Sequence, residues 1–106
     1  MLNLKENPVL KDFQNYVEEM EIERGFKNDD VLRKCLLISE EVGELCKAVR
    51  KKDKVMKTDQ DSECNSAGSE LADIIMVTCA IANRLGVDLE EEFRKKEEIN
   101  KKRNWK

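Results

Sequence analysis

Apolar residues recur along this chain at helical spacing between short polar breaks, and the pattern predicts four helices. Val9, Phe13, Val17 and Met20 mark the buried stripe of the first. Asn7 is a good capping residue and Pro8 suits the first helical position, so this helix is expected to begin there. Gly25 is its expected stop. The second helix is expected from Asp29 or Asp30 to about Lys52, with Val31, Cys35, Ile38, Val42, Leu45 and Val49 on its apolar face. Residues 53–66 are polar and weakly patterned and read as a linker. The third helix is expected over 68–85 and is apolar on nearly every side, from Leu71 and Ile75 through Cys79 to Leu85. Such a helix is buried all round. A chain of 106 residues has little with which to cover it, so a homodimer or homotetramer is expected. Gly86 ends this helix. Asp88 then caps a fourth, with Glu91 placed as in a capping box, running to about Lys102. The expectation is an all-α, four-helix bundle forming one domain over residues 1–106.

Composition supports helices. Charged residues make up 41% of the chain, aromatics only 5%, and Pro occurs once, a profile unlike that of a β-sandwich. The net charge of −3 provides no global basic field, so no nucleic-acid partner is expected. The charge is uneven, however. Residues 94–106 hold seven Lys or Arg against two Glu, a set that can meet phosphates or simply complement a helix C-terminus. The four cysteines form no CxxC pair and the chain has no His, which excludes the common zinc motifs. Cys35, Cys46 and Cys79 read as small core residues. With no leader and no membrane-length apolar run in view, a cytoplasmic setting with free thiols and no membrane partner is expected.

The acidic residues on the two central helices carry the chemistry. Residues three or four apart share one helical face, so Glu41 and Glu44 form one pair and Glu70 and Asp73 another, with Glu40 beside Glu44. Glu70 and Asp73 are the only acids on an otherwise apolar helix, where unpaired carboxylates are costly unless something compensates them. Two such pairs facing each other would offer a hard divalent cation an all-oxygen shell, and Mg²⁺ suits carboxylates, waters and phosphate oxygens. Ion pairing is the alternative, although the third helix supplies only Arg84 as a cation. A di-iron carboxylate site would need the His of an ExxH motif.

The run Glu40-Glu41-Val42-Gly43-Glu44-Leu45, followed by Glu70-Leu71-Ala72-Asp73, resembles the EExxE…ExxD signature of the MazG superfamily of all-α pyrophosphohydrolases. The resemblance extends to Glu23-Arg24-Gly25-Phe26 before the second helix, and to Lys96, Asn100 and Arg103, which match a KxxxNxxR tail. It implies a MazG-like fold and hydrolysis of a nucleoside triphosphate to the monophosphate and pyrophosphate with Mg²⁺, Mn²⁺ being a possible substitute. In that reading Glu41, Glu44, Glu70 and Asp73 are metal ligands, Glu41 serving catalysis as well. Glu40 orients or deprotonates the attacking water. Lys96, Asn100 and Arg103 hold the phosphates, and Phe26 stands where an aromatic is expected near the base, either stacking or serving as a core staple. Helices three and four look similar to the dCTP pyrophosphatase branch, but the tryptophans of that branch's base pocket are missing; the only Trp here is Trp105. Phosphoribosyl-ATP pyrophosphohydrolase, a dUTPase-like activity and a catalytically silent helical binding module are the other readings.

Overall fold

The computed structural model describes residues 2–53 and 66–105. Among the described residues there are four helices: α1 (Leu10–Arg24), α2 (Val31–Asp53), α3 (Ala67–Leu85) and α4 (Leu89–Lys101). No strand occurs among the described residues, and none of the helices is long and apolar enough to cross a membrane. The all-α expectation therefore holds. Most of the residues read as a linker, 54–65, lie outside the described residues.

The chain divides into two compact units. One holds α1, α4 and the end of α3 from Cys79 onward. Its core is Val17, Met20, Cys79 and Ala80, with Leu2, Phe13, Tyr16 and Leu89 packed around it. The helix starts two residues later than the Asn7-Pro8 pair implied. Asn7 takes a left-handed φ of 52° and Val9 becomes the cap. The reason is Asp12, whose carboxylate accepts the Val9 N–H at 2.9 Å while its own N–H bonds the Val9 carbonyl. Val9 is consequently exposed rather than part of the buried stripe. Gly25 and Gly86 end α1 and α3 with φ of 80° and 68°. At each, the next residue's N–H reaches back to close the last turn, Phe26 to the Glu21 carbonyl and Val87 to that of Ala82, both at 2.8 Å. Asp88 caps α4 as expected, accepting the Glu91 N–H at 3.1 Å. Glu91 itself pairs with Lys95 at 3.0 Å.

A buried polar network fastens this unit. The Gln14 side chain donates to the Asn83 side chain (3.1 Å) and to the Val87 carbonyl (2.8 Å), and accepts the Leu89 N–H (2.9 Å). Asn83 donates back to the Gln14 carbonyl at 2.8 Å. One glutamine thus satisfies backbone groups left open at the α3–α4 turn. Close by in sequence, Glu21 pairs with Arg84 at 3.4 Å, and Arg84 also donates to the Phe26 carbonyl.

The other unit holds α2 and the start of α3 through Thr78. Asp30 accepts the Leu32 N–H at 2.9 Å and starts α2; Ser66 accepts the Ser69 N–H at 3.0 Å and starts α3. The predicted apolar face of α2 is only partly covered in the single chain. Val31, Ile38 and Leu45 are half-buried, whereas Cys35, Val42 and Val49 are exposed. Cys35 and Cys46 are accordingly surface thiols and not core residues; Cys79 is the buried one. The third helix is likewise not buried all round within one chain, since Leu71, Ile75 and Met76 are exposed.

Candidate functional site

Helix periodicity places Glu41 and Glu44 on one face of α2, and Glu70 and Asp73 on one face of α3. In the unit that holds both faces, three of these carboxylates converge. Glu41, Glu70 and Asp73 each offer an oxygen within 4.8 Å of the others, the one such acidic group among the described residues. Glu70 is 1% exposed, and its Oε2 is buried with no hydrogen-bond partner. Glu41 and Asp73 are half-buried. No Lys or Arg pairs with any of the three among the described residues. The cation that the sequence offered as a possible partner, Arg84, is engaged with Glu21 instead.

This crowding has an electrostatic signature. The Glu41 carboxyl is pushed above the ordinary glutamate range, first by a side-chain hydrogen bond with Glu70, then by burial and by the negative charges of Asp73, Glu70 and Glu44. Negative charges this close disfavour the ionised form of Glu41, and a cation among them would favour it. A buried oxygen with no donor, two more carboxylates within reach and no paired basic side chain among the described residues form a donor set of the kind hard divalent cations take.

Two of the expected acidic residues stand apart. Glu44 is exposed and outside the converging group, acting on Glu41 through its charge. Glu40 is exposed and lines an open depression of about 320 Å³ with Asp29, Arg33, Lys34, Leu36 and Leu37.

The remaining expected residues belong to the unit built on α1 and α4. Lys96 and Arg103 are exposed; Asn100 is half-buried, with a buried Oδ1 that has no hydrogen-bond partner. Phe26 is 46% exposed, so it is not a core staple; its carbonyl accepts from Arg84. Sequence reasoning gave Trp105 no role, yet its ring lies 4.9 Å from the Arg103 guanidinium and its indole N–H donates to the Asn100 carbonyl at 2.9 Å. An aromatic two residues beyond an arginine, past a helix end, was the available signal.

The MazG nucleotide pyrophosphohydrolase domain matches residues 30–104, a span that includes every residue of the acidic group. The chain belongs to the MazG nucleotide pyrophosphohydrolase family. Membership makes it a nucleotide pyrophosphohydrolase of a family whose hydrolases generally use a divalent metal. A comparison with curated proteins gives no match.

Proposed function

We propose that this MazG protein hydrolyses nucleoside triphosphates to the monophosphate and pyrophosphate with Mg²⁺, as a house-cleaning activity on the nucleotide pool in the cytoplasm. The observation that carries the reading is the buried, unpartnered Glu70 oxygen beside Glu41 and Asp73. Residues 1–106 form the working domain in this reading. Glu41, Glu70 and Asp73 hold the cation, and Glu44 adds a fourth carboxylate from the same face of α2. When bound, Mg²⁺ neutralises phosphate charge and lowers the pKa of a coordinated water; Mn²⁺ is a workable substitute. Glu40 orients the attacking water or takes its proton. Lys96, Asn100 and Arg103 bind phosphate oxygens, Arg103 with the planar fork that can grip two at once. Phosphoryl-type reactions need charge neutralisation and alignment more than covalent help, so this division of labour is chemically sufficient. Phe26, 46% exposed, contacts the base in this reading.

A panel of nucleoside triphosphates, scored for pyrophosphate release, tests the proposal. Release should require Mg²⁺, stop in excess chelator and return when the metal is restored. Undiminished hydrolysis in chelator would refute the metal site. No release from any triphosphate would leave a silent binding module as the better reading.

The same reading includes self-association. Leu32, Leu36 and Leu37 on α2, and Leu71, Ile75 and Met76 on α3, are exposed in the unit that holds the acidic group. Apolar surface of this kind is usually covered by a partner. Light scattering at micromolar concentration should report a dimer or tetramer, and an active, soluble monomer would sink the assignment of these residues to a self-interface.

A further inference from the structure

The fourth helix ends in a fold-back that the proposed chemistry leaves unexplained. Beyond Lys102 the chain turns, with the Arg103 N–H bonded to the Asn100 carbonyl at 3.1 Å. The Trp105 indole N–H reaches the same carbonyl at 2.9 Å. A carbonyl oxygen has two lone pairs, and here the indole takes the one that the Arg103 N–H leaves open. That bond fixes the indole, and the fixed ring meets the Arg103 guanidinium at 4.9 Å from its centroid. Trp105 is nevertheless 71% exposed, so burial does not account for its position.

A guanidinium stacked on an aromatic face keeps its N–H groups free at the edge. An arginine at an unpaired helix end otherwise samples many rotamers, and ordering it costs binding free energy. Among the described residues, no acidic side chain pairs with Arg103. The stack therefore orders the cation without consuming its hydrogen-bonding capacity, which suits it to an incoming oxyanion such as a polyphosphate.

From this we infer that Trp105 is a positioning residue for Arg103, presenting its guanidinium edge to the phosphates of the substrate. The inference rests on the proposed phosphate role of Arg103. Its observable consequence is a separation of KM from kcat: Trp105 aids phosphate capture and touches none of the acidic residues' chemistry.

Trp105 is the only tryptophan in the chain, so its fluorescence reports this corner directly. The experiment compares the wild type with Arg103→Ala, Trp105→Ala and Trp105→Phe. Steady-state kinetics use Mg²⁺ and the nucleoside triphosphate turned over fastest. In parallel, wild type and Arg103→Ala are titrated with inorganic triphosphate in chelator while Trp105 emission is followed. Trp105→Ala should raise KM about two-fold to five-fold, the size of a lost exposed cation–π contact, with kcat unchanged. Trp105→Phe keeps a ring and should recover part of the loss. Wild-type emission should change saturably with triphosphate, and Arg103→Ala should abolish that change. If Arg103→Ala raises KM while Trp105→Ala leaves it at the wild-type value, the Trp105 inference alone is overturned. If Trp105→Ala lowers only the melting temperature, the indole is merely a helix cap and the inference again fails. Should Arg103→Ala leave KM unchanged, the phosphate role of Arg103 is refuted and the inference falls with it.

Discussion

Replacing Glu70 with Gln should cut nucleotide hydrolysis by orders of magnitude and leave the metal-free protein at least as stable as wild type. The two halves of this expectation have one cause. Glu70 is almost fully buried, one of its oxygens has no donor, and Glu41 and Asp73 crowd it. As a metal ligand it is an anion that the neutral amide of Gln replaces poorly, so activation of water and shielding of phosphate charge are lost together. Without metal the same carboxylate is a burden, because it sits among like charges and none of the described residues pairs a cation with it. Gln has nearly the same shape and brings a donor that Glu41 can accept. Asp73→Asn should behave in the same way. A structural ion pair predicts the opposite sign, since breaking one in the interior costs about 3–5 kcal/mol.

The pH dependence follows from Glu41, whose folded pKa is raised. A raised pKa contributes stability that is fully present below the unfolded value and is lost as pH climbs through the folded one. In chelator, melting temperature should therefore decline from acid toward neutral pH through this group, and Mg²⁺ should restore it at neutral pH. Glu70→Gln should flatten the decline, because it removes the negative charge of Glu70 from the causes that raise the Glu41 carboxyl. Melting curves of both proteins in chelator, at about pH 5 and about pH 8, measure all of this. A large loss of melting temperature in Glu70→Gln with turnover retained would overturn the metal-ligand assignment.

The second large effect lies in the unit built on α1 and α4. Arg84→Met should destabilise the protein by about 3 kcal/mol, at the lower end for a broken interior ion pair. The side chains of Arg84 and Glu21 are 17% and 5% exposed, so removing the guanidinium leaves Glu21 as an interior carboxylate and deprives the Phe26 carbonyl of its donor. The double change Glu21→Leu with Arg84→Met removes both charges and should recover much of the loss, since an apolar replacement of a buried pair is often neutral or stabilising. Urea unfolding of the single and double variants gives the comparison, with the slope unchanged and only the midpoint moving. Equal loss in the single and double variants would show that Arg84 acts by filling space and not by its charge.

Helix ends and helix faces were written in short stretches of sequence. Gly25 and Gly86 terminate helices because each adopts a left-handed φ that glycine reaches without a Cβ penalty, and Asp88 caps α4 through a neighbour three residues on. The acidic pairs were legible for the same reason: the helical period puts Glu41 with Glu44, and Glu70 with Asp73, on common faces. At the start of α1 a second local interaction competes with the Asn7-Pro8 signal. Asp12 draws the start of α1 past Pro8 by bonding the Val9 N–H.

What period alone does not supply is which face meets which. Burial was misjudged for Cys35, Cys46 and the flanks of α3 because an apolar stripe says that a residue seeks cover, and not whether the same chain provides it. Glu21 and Arg84, or Gln14 and Asn83, are more than sixty residues apart in sequence, and no spacing rule relates them. Sequence by itself determined the helices, their ends and a surplus of carboxylates on two of them. Only tertiary structure decided that Glu41, Glu70 and Asp73 share one space while Glu44 stays outside it, and that Arg84 is bound elsewhere. The physical reason is range: hydrogen bonds within a helical turn depend on the nearest few residues, whereas the meeting of side chains from separate elements depends on how those elements pack.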